Sequence, residues 1–121
     1  MNLNPQPAIL LVGREPPLNY LFGRFAEQSG YRLTGNLENI SMAEIETVKP
    51  AVILFLSIEL LAKNQALVAE LSSRESPIIV CSSSTEEARA RELGADYCLL
   101  HPLTYNDFQT ALETVIPSKR V

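Results

Sequence analysis

The chain is expected to fold as a doubly wound parallel α/β sheet in one domain, and three observations carry that expectation. Five short runs of strand length, all but the second mainly apolar, alternate with five stretches of helical pattern. The strand runs are continuous rather than alternating in polarity, as strands covered by helices on both faces require. The length, 121 residues with 46% hydrophobic and 20% charged, suffices to close a core without disulfide or metal staples.

The elements follow in order. Residues 1–7, MNLNPQP, carry two prolines and two asparagines and read as a disordered lead. Ala8–Val12 is a continuous apolar strand stopped by Gly13. Pro16-Pro17 opens a helix, where a missing N–H costs little. Leu18, Leu21, Phe22 and Phe25 fall at i, i+3, i+4 and i+7 on its apolar face, and Gly30 suits its C-terminal turn. Residues 31–37 form a short mixed strand. Ser41 with Glu44 has the form of a capping box, and Met42, Ile45 and Val48 make a short second helix that Pro50 ends.

Residues 51–56 are the next buried strand. Leu60, Leu61, Leu67, Val68 and Leu71 define the stripe of a third helix, and residues 77–81, PIIVC, a fourth strand. The hydroxyl run Ser82-Ser83-Ser84-Thr85 follows, with Ser84 and Glu87 spaced as a second capping box. The fourth helix then has little to bury beyond Leu93 and alanines. Residues 96–100 form a fifth strand, and Thr104 caps a last helix with Phe108, Ala111, Leu112 and Val115 on one side. Residues 8–116 thus make one domain, and residues 117–121 a tail.

Bulk properties exclude several classes. A net charge of −4 and a pI near 5.0 oppose bulk attraction to nucleic acid or anionic membrane, so no direct nucleic-acid binding is expected. No apolar run approaches the roughly 20 residues that span a bilayer, so no membrane insertion is expected. The opening has no basic residue before its first apolar stretch, which argues against a secretory signal. Cys81 and Cys98, each in an apolar strand, read as small buried hydrophobes in a reducing compartment. The expected location is cytoplasmic.

In a sheet of this kind ligands sit beyond the carboxyl ends of the strands. That rule selects residues 13–15, 56–59, 82–85 and 101–102. The segments ILLVGREP, KPAVILFLS, PIIVCSS and GADYCLLHP, in this order, resemble the receiver domain of two-component response regulators, the CheY-like family. The resemblance covers residues 8–116 and implies a flavodoxin-like sheet of strand order 2-1-3-4-5 with five helices.

The resemblance also implies positions for the family's phosphorylation chemistry. Its paired acidic residues after the first strand fall on Gly13 and Arg14, followed by Glu15. Its phosphoacceptor aspartate falls on Leu56. Its hydroxyl residue falls on Ser82, which is retained, and its lysine on His101, followed by Pro102, a position often preceded by a cis bond. Its switch aromatic falls on Cys98, with Tyr97 displaced by one.

Transfer of a phosphoryl group to a carboxylate needs the acceptor, a divalent metal and a cation on the phosphoryl oxygens. Leucine accepts no phosphoryl group, and Glu15 alone is a poor Mg²⁺ site. Gly13, Arg14, Glu15, Leu56, Ser82 and His101 are therefore expected to form a degenerate pocket, with no metal and no cofactor. Arg14 either replaces the metal by pairing with Glu15 or Glu59, or points into solvent.

Other chemistry finds little support. His101 is the single histidine, so no histidine metal cluster or relay exists. The hydroxyl run at 82–85 is a weak anion cradle, because a capping serine already explains part of it. Ser82 and His101 lack a nucleophile elbow, and there is neither a GxGxxG nor a P-loop pattern. The chain is not expected to be an enzyme.

What remains is surface. The family commonly communicates through its fourth helix, fifth strand and fifth helix, which here carry Glu86, Arg89, Ala90, Tyr97, Tyr105, Gln109 and Glu113. The expected function is a phosphorylation-independent, receiver-like signalling module that binds another signalling protein or forms a homodimer. It works either alone or as a piece of a larger protein, since no output domain is expected after Ile116. The alternative is a small-ligand or anion sensor using Arg14, Ser82 and His101 at the strand ends.

Overall fold

The computed structural model describes residues 6–71 and 76–116; residues 1–5 of the expected lead and the tail at 117–121 lie outside that range. The order of elements is β1 (Ala8–Val12), α1 (Pro16–Gln28), β2 (Arg32–Leu37), α2 (Met42–Val48), β3 (Val52–Phe55), α3 (Ile58–Lys63), α4 (Gln65–Leu71), β4 (Ile78–Ser82), a 3-10 turn (Ser84–Glu86), α5 (Glu87–Glu92), β5 (Tyr97–Leu100) and α6 (Tyr105–Val115). The strands form one parallel sheet of order β2-β1-β3-β4-β5. This is the doubly wound, flavodoxin-like architecture expected from the apolar runs and the resemblance.

Alternation along each buried strand divides the core between two layers. Ile9, Leu11, Val52, Leu54 and Ile79 pack against Phe22, Phe25 and Ala26 of α1 and Phe108, Ala111 and Leu112 of α6. Leu10, Val12, Ile53, Phe55, Ile78 and Val80 pack on the other side against Ile45, Leu61, Val68, Leu71 and Ala90. The first layer is the more aromatic. Phe22, Phe25, Phe108 and Tyr105 lie with ring centroids 5.4–6.0 Å apart, a spacing suited to edge-to-face and tilted contacts.

Capping follows the sequence closely at α2 and α6. Ser41 Oγ accepts from the Glu44 N–H at 3.2 Å while Glu44 Oε1 accepts from the Ser41 N–H at 3.1 Å, completing the capping box. Thr104 Oγ1 accepts from the Asp107 N–H at 3.1 Å. The β1–β2 ladder shifts register between Leu10 and Val12, opposite Gly35. Gly35 has φ 83°, and a Cβ there would lie 2.9 Å from the Leu11 carbonyl oxygen, so only glycine fits this irregularity.

Two local expectations are corrected. The single helix drawn through Leu60, Leu61, Leu67, Val68 and Leu71 is two helices, α3 and α4, so six helices are described rather than five. The break falls at Asn64, whose buried amide donates to the Leu60 carbonyl at 2.8 Å and the Glu38 carbonyl at 3.5 Å. Asparagine side chains compete with the backbone ladder in this way. After β4, Ser84 lies inside the 3-10 turn rather than capping a helix, and the N-cap of that turn is Ser83. The Ser83 hydroxyl meets Thr85 Oγ1 at 2.9 Å and donates to Glu86 Oε1 at 3.5 Å.

Candidate functional site

The parallel register places the strand-end residues. Val12 pairs with Phe55, and the Leu56 N–H continues the ladder by donating to the Val12 carbonyl at 3.0 Å. Gly13 and Leu56 are thereby neighbours, both buried, with Leu56 3% exposed in the layer of α1 and α6. Gly13 has φ 134°, and a Cβ there would stand 2.7 Å from Leu56 Cδ1. Leucine fills the volume that a side chain at position 13 would need.

The other positions implied by the resemblance do not converge on Leu56. Ser82 is buried on the α5 side, where its Oγ lies 2.7 Å from Cys98 Sγ and donates to the Ser83 carbonyl at 3.2 Å. Arg14, Glu15 and His101 are exposed. His101 reaches Ser82 only through its backbone, its N–H donating to the Ser82 carbonyl at 3.3 Å, and the His101-Pro102 bond is cis. Among the described residues Arg14 forms no ion pair with Glu15 or Glu59, so it points into solvent rather than standing in for a metal. Glu15 instead begins α1, its N–H donating to Asn19 Oδ1 at 2.7 Å.

These residues do not fit a divalent cation. Mg²⁺ takes several oxygen ligands in near-octahedral array. Here Gly13, Arg14 and Leu56 supply no carboxylate, and no group of three or more His, Cys, Asp or Glu able to hold a metal occurs among the described residues. Neither cysteine is an activated nucleophile. The Cys81 thiol is pushed up to about 12, first by burial and then by Cys98 and Glu15. Burial likewise raises the Cys98 thiol, with the Ser82 hydrogen bond acting in the opposite sense. Both cysteines are free and stay protonated at neutral pH. They project to opposite faces of the sheet, Cys81 towards α6 and Cys98 towards α5.

The expected interaction face is only partly one surface. Ala90 is fully buried against the sheet and is removed from it: as the one buried residue of α5, it is what seats that helix. Tyr105 belongs to the opposite flank of α6. Its ring packs on Phe25 of α1 with centroids 5.7 Å apart, and its hydroxyl pairs with Ser29 Oγ at 3.3 Å. Gln109 and Glu113, one and two turns further on, continue that flank by helical spacing. Glu86 and Arg89 are exposed, and Tyr97 is half-buried.

What lies between α5 and α6 is a groove of about 290 Å³ lined by Glu87, Arg91, Tyr97, Cys98, Leu99, Leu100 and Asp107. Arg91 Nη2 and Glu87 Oε2 pair across 3.5 Å on one wall, and Asp107 stands on the other. The inward phase of Phe108, Ala111 and Leu112 puts Asp107 opposite the Tyr105 flank. That phase was available in the sequence and would have selected Asp107 in place of Tyr105. A second missed feature is Tyr20, 67% exposed, with the Arg24 guanidinium 5.9 Å from its ring centroid and donating to its hydroxyl at 3.0 Å. The signal for it was an aromatic residue off the apolar stripe, with arginine at i+4.

No family model and no curated protein matches the chain. Its similarity is to solved structures, and these are response-regulator receiver domains. The N-terminal domain of the nisin resistance regulator NsrR is 25% identical with a TM-score of 0.72, covering 93% of this chain and 100% of that one. The receiver domain of a signal transduction histidine kinase from Syntrophus aciditrophicus is 18% identical with a TM-score of 0.73, covering 95% and 94%. NtrX from Brucella abortus is 19% identical with a TM-score of 0.73, covering 93% of this chain; the match spans only 26% of the NtrX chain.

Proposed function

We propose that this receiver-fold chain is a phosphorylation-independent signalling module that binds another signalling protein or a second copy of itself, and has no catalytic turnover of its own. One observation carries the reading: Leu56, on which the family's phosphoacceptor falls by the resemblance, is 3% exposed and packed against Gly13, on which its metal-binding acid falls. A pocket of this kind has neither acceptor nor cation, so phosphoryl groups give no differential energy between two conformations. A partner with different affinity for the two supplies that energy instead.

The surface assigned to the partner is the α5–β5–α6 groove, lined by Glu87, Arg91, Tyr97 and Asp107. Charged walls around an aromatic residue suit a polar, transient interface better than a permanent one. Cytoplasmic location belongs to the same reading; no described helix is long and apolar enough to cross a membrane. Ligand sensing at the strand ends has less support. The Ser82 hydroxyl is already engaged, Arg14 and His101 are turned outward, and the groove lies elsewhere.

The test uses the purified chain with acetyl phosphate and Mg²⁺, followed by intact mass and by partner capture from source cells. The expected result is no covalent adduct and a recurrent partner whose capture is indifferent to the phosphodonor and lost on Asp107→Lys. Adduct formation, or capture that depends on the phosphodonor, refutes it. Tyr105 is a poor site for this test because its ring supports Phe25.

A further inference from the structure

The strand ends hold more than the absence of a carboxylate. The β1–β3 ladder runs one step past its last pair, through the Leu56 N–H to the Val12 carbonyl, and so sets the Leu56 side chain against the Gly13 backbone. A Cβ at Gly13 would lie 2.7, 2.8 and 2.9 Å from Leu56 Cδ1, Cγ and Cβ. Non-bonded carbons settle at about 3.5–4.0 Å, so the space is already filled. The loop that begins at Gly13 carries Arg14 and leads to Glu15, where α1 starts.

We propose that Leu56 is a steric latch, seated in the notch that Gly13 leaves, which ties the end of β3 to the β1–α1 loop and closes the cation position by volume. The bare backbone at 13 and the bulk of Leu56 are then two halves of one contact. The loop is held by a core side chain, where a bound cation would hold it in a pocket with carboxylates. This deepens the reading above and rests on it for the identity of the pocket.

A double-mutant cycle read by thermal melting tests the latch. Gly13→Ala is strained by its positive φ in any background, and that strain cancels in the cycle. The overlap with Cγ and Cδ1 exists only when Leu56 is present. The Tm loss caused by Gly13→Ala is expected to be less than half as large in a Leu56→Ala background as in the wild type; equal losses overturn the latch. If Gly13→Ala fails to fold in the wild-type background, native-state amide exchange on Leu56→Ala alone decides. Amides 13–15 are then expected to gain about tenfold more in exchange rate than amides 97–100, which report the global loss of stability, and an equal gain at both overturns the proposal. A phosphoryl adduct on the wild-type chain, by contrast, would remove the functional reading and leave the cycle as it stands.

Discussion

Leu56→Asp places a carboxylate at the end of β3, and the structure sets its cost. Leu56 is 3% exposed among Phe22, Leu54, Phe108 and other members of the α1–α6 layer. Removing a buried leucine costs about 3 kcal/mol. An unpaired carboxylate in the same place adds roughly 2 kcal/mol or more, since Arg14 is turned outward. The sum, about 5 kcal/mol, is a large part of the roughly 6–18 kcal/mol expected for a domain of this length. At roughly 4 °C per kcal/mol it corresponds to a Tm about 20 °C lower. Burial raises the folded pKa of the new group above its ordinary value of about 3.9. The variant therefore differs least from Leu56→Asn, its uncharged counterpart of similar size, below about pH 4, and the gap opens as pH rises through the folded pKa. Urea titrations of both variants at several pH values measure it. Equal stability of Leu56→Asp and Leu56→Asn at pH 7 would refute the claim that position 56 is a closed, apolar site.

Two further outcomes are expected. The Cys81 thiol is raised to about 12, so the stability it confers is complete below the unfolded value near 9 and is lost as pH climbs towards 12; Cys81→Val should lose less stability than the wild type over that interval, measured by urea midpoints from pH 8 to 11. Lys49 closes α2 with φ 51° and ψ 59°, a left-handed conformation that costs a residue with a Cβ roughly 1–2 kcal/mol. Lys49→Gly should stabilise the domain by about 0.5–1 kcal/mol after the larger unfolded-state entropy of glycine is counted, and a lower urea midpoint would contradict this.

Much of the architecture was legible because its signals are local. Continuous apolar runs at 8–12, 51–56 and 77–81 announced buried parallel strands, and the Ser41–Glu44 and Thr104 caps fixed two helix starts. The break at Asn64 was not legible. The apolar stripe runs across it, and the bond from its amide to the Glu38 carbonyl joins residues 26 apart in sequence. The Ser84–Glu87 pattern misled for a related reason. A capping box requires α geometry from its first turn, and this segment begins as a 3-10 turn.

By itself the sequence determined the chemistry available at the strand ends. A leucine at 56 and a glycine at 13 offer no carboxylate, and a single histidine allows no histidine pair, whatever the packing, because such chemistry depends on side-chain identity. The tertiary structure decided which of these groups meet. It turned Ser82 towards Cys98 and Arg14 towards solvent, seated Leu56 on Gly13, and sent Tyr105 to α1 while leaving Asp107 in the groove with Tyr97. Such contacts depend on strand register and helix phase across distant segments, and neither is written in any local stretch of the chain.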